Sequence, residues 1–221
     1  MNDLLTGILG SLAASAILIV LGLLRGARPM WWLVAVCSRY TRTGLGRVYL
    51  HQTSAEQDLA RDLRRARWVK VLAGRGNVLT REVFSPLWSA DPATQTVQIL
   101  LPDPDSGQDS WLDRRSQEIA RFDPGYTRDL LRSQVRTNID YLARVAQTRD
   151  GIELRTFNLP NNCRVIATDH AAYLTFYGAS AHGRNSPCLY ARAPGILYSA
   201  ALRQFDAAWA HATPTLPASL P

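Results

Sequence analysis

Apolar residues fall along this chain in two regimes. Residues 4–24 read LLTGILGSLAASAILIVLGLL, with no charged side chain among them. This first regime predicts a transmembrane helix. A run of about 20 apolar residues rising ~1.5 Å each matches a bilayer core of roughly 30 Å, and a helix satisfies its own backbone groups in lipid. A buried core helix is usually shorter than ~15 residues and keeps a polar face. The flank Met1-Asn2-Asp3 is acidic and the run is long, which argues against a cleaved signal peptide.

In the second regime, apolar positions recur at strand or helix spacing. A glycine turn at Gly44 and Gly46 precedes a short strand over residues 47–50. Ser54 and Gln57 have the spacing of a capping box, predicting a helix over 55–67 with Leu59, Leu63 and Ala66 on its inner stripe. Residues 68–73 read as a strand ended by Gly74-Arg75-Gly76-Asn77, and 80–88 as a second helix. The run 97–101, VQILL, suits a buried strand. Pro102-Asp103-Pro104-Asp105-Ser106 then reads as a turn. Helices follow over 110–122 and 127–149, the latter with Leu131, Val135, Ile139, Leu142 and Val145 at helical spacing. Strands are predicted over 152–157, 164–169, 173–177 and 188–192. A final helix spans 196–211, with Leu197, Ala201, Phe205 and Trp209 on one side. Elements alternate first, then strands cluster, which predicts an α/β or α+β domain with a mixed sheet.

Charge orients this arrangement. Arg25 and Arg28 follow the apolar run, and Arg39, Arg42 and Arg47 come soon after. The positive-inside rule therefore places the N-terminus outside and the body in the cytoplasm of a single-pass inner-membrane protein. Trp31 and Trp32 suit the headgroup layer. The expected organisation is an anchor over 1–28, an interfacial helix or linker over 29–43, a folded domain over 44–212 and a disordered, proline-rich tail over 213–221. Gly7, Gly10, Ser11 and Ala14 form small-xxx-small pairs that let helix backbones approach, predicting a homo-oligomer through this face. The net charge of +7 suits anionic lipid or nucleic acid as a partner.

The chemistry-bearing residues are few. Cys37, Cys163 and Cys188 have no metal spacing and read as buried small hydrophobes, free in a reducing compartment. No H-x-x-x-H, C-x-x-C, P-loop or dinucleotide fingerprint is present. Neither a metal nor a cofactor is expected. Arg75, within Gly74-Arg75-Gly76 at a strand end, sits where backbone N–H groups can cradle an anion. Arg128, Arg132 and Arg136 form a stripe that reads as a solvated face in preference to an anion site. His170, next to Asp169, would point to the opposite strand face. His182 lies in a loop-like stretch that can reach a cleft mouth.

The order strand, helix, strand, VQILLPDPDS, two helices, IELRTF, then RVIATDHAAYLTFYGAS resembles one half-domain of the phospholipase D-like superfamily, over about residues 44–212. The family signature is H-x-K-x-x-x-x-D followed by a small-residue stretch. Here Asn162 stands at the histidine position, Arg164 at the lysine position and Asp169 at the aspartate position, and the stretch Gly178-Ala179-Ser180-Ala181 follows. In the family, two such motifs meet; one histidine attacks a phosphodiester, the other protonates the leaving group, and the lysines hold the phosphate. The resemblance thus implies the scaffold and a phosphate cleft made of Asn162, Arg164, Asp169 and Ser180, without the nucleophile. An asparagine amide neither attacks nor takes a proton near neutral pH, whereas arginine still pairs a phosphate with two-pronged geometry.

The expected fold is therefore α/β, a transmembrane helix followed by a phospholipase D-like mixed-sheet domain. The expected function leans away from an enzyme. A membrane-anchored domain binds a phosphorylated ligand (nucleotide or nucleic acid) or a protein partner, through Arg75, Arg164, Asp169 and His182 among others. It then signals to an oligomeric membrane segment. Degenerate domains of this kind behind a single span look like sensors or effectors of bacterial signalling and antiviral defence. Two other readings stay open: a phosphodiesterase, nuclease or lipase using His182, and a structural scaffold at the membrane.

Overall fold

A computed structural model describes residues 37–215 apart from 39, 81, 89–93 and 179–181. The predicted membrane span, with Gly7, Gly10, Ser11 and Ala14, therefore lies outside the described residues, as does Ser180. Among the described residues no helix is long and apolar enough to cross a membrane.

The strands are β1 (Leu45–Tyr49), β2 (Trp68–Leu72), β3 (Thr96–Pro102), β4 (Ile152–Phe157), β5 (Cys163–Thr168), β6 (Ala171–Phe176), β7 (Cys188–Arg192) and β8 (Thr213–Pro214). They form one mixed sheet in the order β1-β7-β6-β5-β2-β3-β4-β8. β2, β3 and β4 pair in parallel; β5, β6 and β7 form an antiparallel meander joined to β2 on one side and β1 on the other. The helices are α1 (Glu56–Leu63), α2 (Trp111–Ala120), α3 (Arg128–Thr148) and α4 (Ile196–Ala210).

The strands alternate their side chains between two cores. Val69 and Val71 of β2 and Ile166 of β5 join Leu59, Leu112 and Val135 of α1, α2 and α3 on one face. Leu72, Val165 and Ala167 join Ala201 and Phe205 of α4 on the other. Every residue of β5 is buried, including Arg164 at 7% exposure.

The local elements follow from identifiable residues. Ser110 Oγ accepts the Asp113 N–H at 3.3 Å and opens α2; Thr127 Oγ1 accepts the Leu130 N–H at 3.2 Å and opens α3. Other predicted boundaries differ. The capping box at Ser54 and Gln57 does not form: a 3₁₀ turn, Gln52–Ala55, leads into α1, and Ala55 precedes it with no side-chain cap. α1 also stops at Leu63 rather than at residue 67, although Leu59, Leu63 and Ala66 are buried as expected. The helix expected over 80–88 is a 3₁₀ segment, Glu82–Trp88, because Pro86 within it has no N–H to donate. The tail expected to be disordered from residue 213 begins as β8, paired with Arg155 and Thr156 of β4, and Thr215 N–H continues the ladder to Leu154 O at 3.0 Å. Cys163 and Cys188 are buried, but Cys37 is exposed, contrary to its reading as a buried hydrophobe.

In the stripe Arg128, Arg132, Arg136 the outer two are exposed, in keeping with a solvated face, Arg132 is part-buried, and all three are paired. Arg128 and Arg132 pair with buried Asp113 at 2.9 and 3.0 Å, and Arg136 pairs with Asp105. Arg132 also donates to the Pro104 and Gly107 carbonyls and the Ser110 hydroxyl. The stripe thus stitches the loop after β3 to α3. In that loop Asp103 Oδ1 accepts the Asp105 N–H at 2.9 Å, the turn its composition predicts.

Candidate functional site

The sheet's arrangement brings three chain ends together: the C-terminal end of β2, the start of β5 and the end of β6. Beyond β2, Ala73 N–H donates to Leu100 O at 3.1 Å, then the chain turns through Gly74-Arg75-Gly76. Gly76 has φ +89°, and a Cβ there would sit 3.1 Å from the Leu101 methyl groups, so the turn calls for glycine. Asn138 on α3 donates to Arg75 O at 2.8 Å and Asn77 Oδ1 at 2.7 Å, fixing the far side of the turn. Gly74 N–H donates to the Tyr177 hydroxyl at 2.9 Å, which ties the turn to the end of β6.

Between these ends lies a cavity of about 280 Å³, open to solvent. Arg164 enters it from β5, donating to Thr175 Oγ1 at 3.1 Å. Arg115 enters from α2, its guanidinium 5.2 Å from the Tyr177 ring centre and 2.8 Å from Glu118. Arg75 donates to the Tyr126 hydroxyl and, at 2.9 Å, to Gln134 Oε1. Arg184 stands exposed at the rim. His182 lies against the edge of Phe122 at 5.2 Å, with Nε2 3.2 Å from Asp123 Oδ2. Trp111, Tyr126 and Tyr177 add aromatic wall. Among the described residues, the lining includes four arginines and a histidine but neither aspartate nor glutamate. Such a wall attracts anions, and guanidinium groups hold phosphate oxygens in pairs.

The titratable groups point the same way. Burial pushes the Tyr177 hydroxyl up, although Arg164 and Arg115 pull it down, so the phenol keeps its proton and remains a donor. Burial also pushes the Cys163 and Cys188 thiols up, the direction away from a nucleophilic thiolate. Among the described residues no three His, Cys, Asp or Glu side chains are grouped to hold a metal.

Of the residues singled out in the sequence, Arg75, Arg164 and His182 meet in this one cavity. Arg164 is buried. Asn162 does not line the cavity; it is exposed, and its carbonyl accepts the Tyr177 N–H at 2.9 Å. Asp169 lies at the opposite end of β5, bound by the Arg67 guanidinium at 3.0 Å and the Arg67 N–H at 3.1 Å. His170 sits in the β5–β6 turn, with Nδ1 3.3 Å from Asp169, rather than on the opposite strand face. Gly74 N–H is spent on Tyr177, so the glycine turn offers the Arg75 side chain rather than that amide. Arg115, Arg184 and Tyr177 were not singled out. Arg115 had a signal: it falls between Leu112 and Ile119 at i+3 and i+4 spacing, on the buried stripe of α2.

The chain matches no family model and no curated protein. Solved structures of similar fold include the following three. One is Nuc from Salmonella typhimurium, a phospholipase D family member, with TM-score 0.46 and 16% identity over 76% of this chain and 97% of that one. Another is NucT from Helicobacter pylori, with TM-score 0.42 and 13% identity over 76% and 98%. The third is TrmBL2, an archaeal chromatin protein with a novel mode of DNA binding, with TM-score 0.44 and 12% identity over 94% and 70%.

Proposed function

We propose that this chain is a membrane-anchored, non-catalytic phospholipase D-like protein. Its cytoplasmic domain binds a phosphate-bearing ligand, a nucleotide or nucleic acid, and passes the bound state to an oligomeric membrane segment formed by residues 4–24. The observation that carries the reading is the arginine-lined cavity, with no carboxylate among the described residues of its wall. Buried Arg164 and Arg115 supply fixed positive charge in a partly water-excluded site, where charge-assisted contacts to a phosphate are strong. Trp111 and Tyr126 give a base or sugar an apolar wall. The position that the family fills with its nucleophile is Asn162, which stands outside the cavity. The test is equilibrium binding of a cyclic dinucleotide and a short oligonucleotide to the full-length protein. Saturable binding that weakens with salt supports the reading, and no binding of either leaves the structural scaffold at the membrane.

One observation favours a second reading, a phosphodiesterase or nuclease. The Asp123 carboxylate holds the His182 ring at the cavity mouth, the arrangement that orients a histidine for proton transfer. In that case turnover would depend on His182 and decline with His182→Ala.

A further inference from the structure

We infer that the end of the sheet remote from the cavity docks on an anionic lipid surface. The inference rests on the membrane anchor proposed above. β5 begins at the cavity and ends at Thr168, just before Asp169 and His170, and three hydrogen bonds mark that far end. Arg67 N–H donates to Asp169, Ala193 N–H donates to His170 O at 3.0 Å, and Ile196 N–H donates to Arg42 O at 3.0 Å. The chain from the apolar run enters the fold at this same end, through Tyr40 and Arg42. Residues 25–36 join that run to Cys37 and reach no further than about 45 Å even when fully extended.

The surface here has the composition of a lipid-facing patch. Tyr40 is 88% and Ile196 57% exposed, although both are large and apolar. Arg42 and Arg192 are exposed in the same segments, and Arg64 and Arg65, before β2, are exposed at the same end of the sheet. At this end Asp169 is turned to Arg67 and Asp62 to the Tyr173 hydroxyl at 2.6 Å, while exposed Asp150 and Glu153 lie farther along the sheet, at the start of β4. Arginines flanking apolar side chains match the negative cytoplasmic leaflet, where each cation near the surface adds to binding. With this end on the bilayer, the cavity faces the cytoplasm, where a dissolved ligand reaches it without crossing the headgroup layer.

The test uses the full chain in lipid nanodiscs of phosphatidylcholine with or without phosphatidylglycerol, each carrying a nitroxide-labelled lipid as quencher. In a Cys37→Ser background, a fluorophore is placed at Ile196→Cys or, at the cavity end, at Asn185→Cys. Quenching at 196 but not at 185 in the anionic discs is the expected result. Arg64→Glu and Arg65→Glu each change the charge by two units and are each expected to lower the docked fraction relative to the undocked roughly thirtyfold. A chain that does not co-purify with the discs overturns the anchor, and the docking with it. A chain that co-purifies while its 196 fluorophore stays unquenched, or is quenched no more than that at 185, overturns the docking alone. So does a charge reversal that changes oligonucleotide retention and leaves the quenching unchanged, since the patch would then serve nucleic acid.

Discussion

The Tyr177 hydroxyl accepts the backbone N–H of Gly74 at 2.9 Å, joining the turn after β2 to the end of β6 across the floor of the cavity. A Cβ at Gly74 would meet Trp111 at 2.9 Å, so the turn, the tyrosine and the tryptophan are packed as one unit. Tyr177→Phe leaves the ring in place and strands the Gly74 amide. An unsatisfied buried donor costs about 1–3 kcal/mol. Chemical denaturation is expected to show a loss of that size, together with weaker ligand binding as the Arg75 turn loosens. An unchanged midpoint would mean that water replaces the hydroxyl.

Arg132 is expected to matter for folding and not for ligand. It is 14% exposed in its side chain, pairs with Asp113 at 6%, and holds two carbonyls and Ser110 of the loop after β3. Removing one partner of a buried pair leaves the other charge uncompensated, a cost of about 3–5 kcal/mol that Arg128 offsets in part. Arg132→Ala should therefore lower stability by about 3 kcal/mol, measured by urea unfolding. Arg128→Ala should cost less, because that side chain is half exposed.

Acid should unfold the domain partly through two aspartates. The Tyr49 hydroxyl, against the opposing effect of burial, and then Arg47 and Arg61 hold Asp58 below its ordinary value of 3.8. Burial raises Asp169, but the side chain and backbone of Arg67 outweigh it and lower this group too. A group whose folded-state value is depressed contributes stability that is complete above its unfolded value. That contribution is lost as pH falls through the folded value. Stability is therefore expected to decline below about pH 4, and the decline should flatten in Asp58→Asn and Asp169→Asn. Thermal melts from neutral to acid pH check the sign: an acid limb unaltered in both variants would assign the loss to other carboxylates.

How much of this could be read from the residues differs between fold and site. β4 and β7 have the predicted bounds, Ile152–Phe157 and Cys188–Arg192, because β-branched, aromatic and alternating residues fill strands bounded by turn residues. Ser110 and Thr127 mark their helices because capping is a local interaction. Ser54 fails for a tertiary reason: the chain there enters α1 through a 3₁₀ turn that buries Gln52 and Ala55. The pairing of Thr213 and Pro214 with β4 is likewise a long-range event with no signal in a proline-rich tail. At the site, Arg75, Arg164 and His182 line one cavity, Arg75 by its side chain rather than by the turn's N–H groups. Asp169 does not, because a six-residue strand carries it to the other end of the sheet. Arg128, Arg132 and Arg136 looked free because their acidic partners, Asp105 and Asp113, come from other segments.

The oligomer proposal concentrates on Gly10. If Gly7, Gly10 and Ala14 form a close helix–helix contact, Gly10→Leu holds the backbones apart and weakens association. Detergent-solubilised protein is expected to shift toward monomer in light scattering. An oligomer of unchanged mass would place subunit contacts elsewhere.

The central claim is binding without cleavage, and one paired measurement tests it most directly. The purified full-length protein is incubated with a radiolabelled cyclic dinucleotide, an oligonucleotide or a phospholipid, and retention and turnover are read from the same samples. The account predicts saturable retention of a nucleotide probe with the label intact. Arg164→Ala is expected to weaken it by about 1.5–3 kcal/mol, roughly ten- to a hundredfold, and Arg164→Lys to restore only part, since the planar fork is lost. Sustained cleavage that survives rigorous purification and disappears in His182→Ala would contradict the account and make the His182–Asp123 pair the centre of an enzyme.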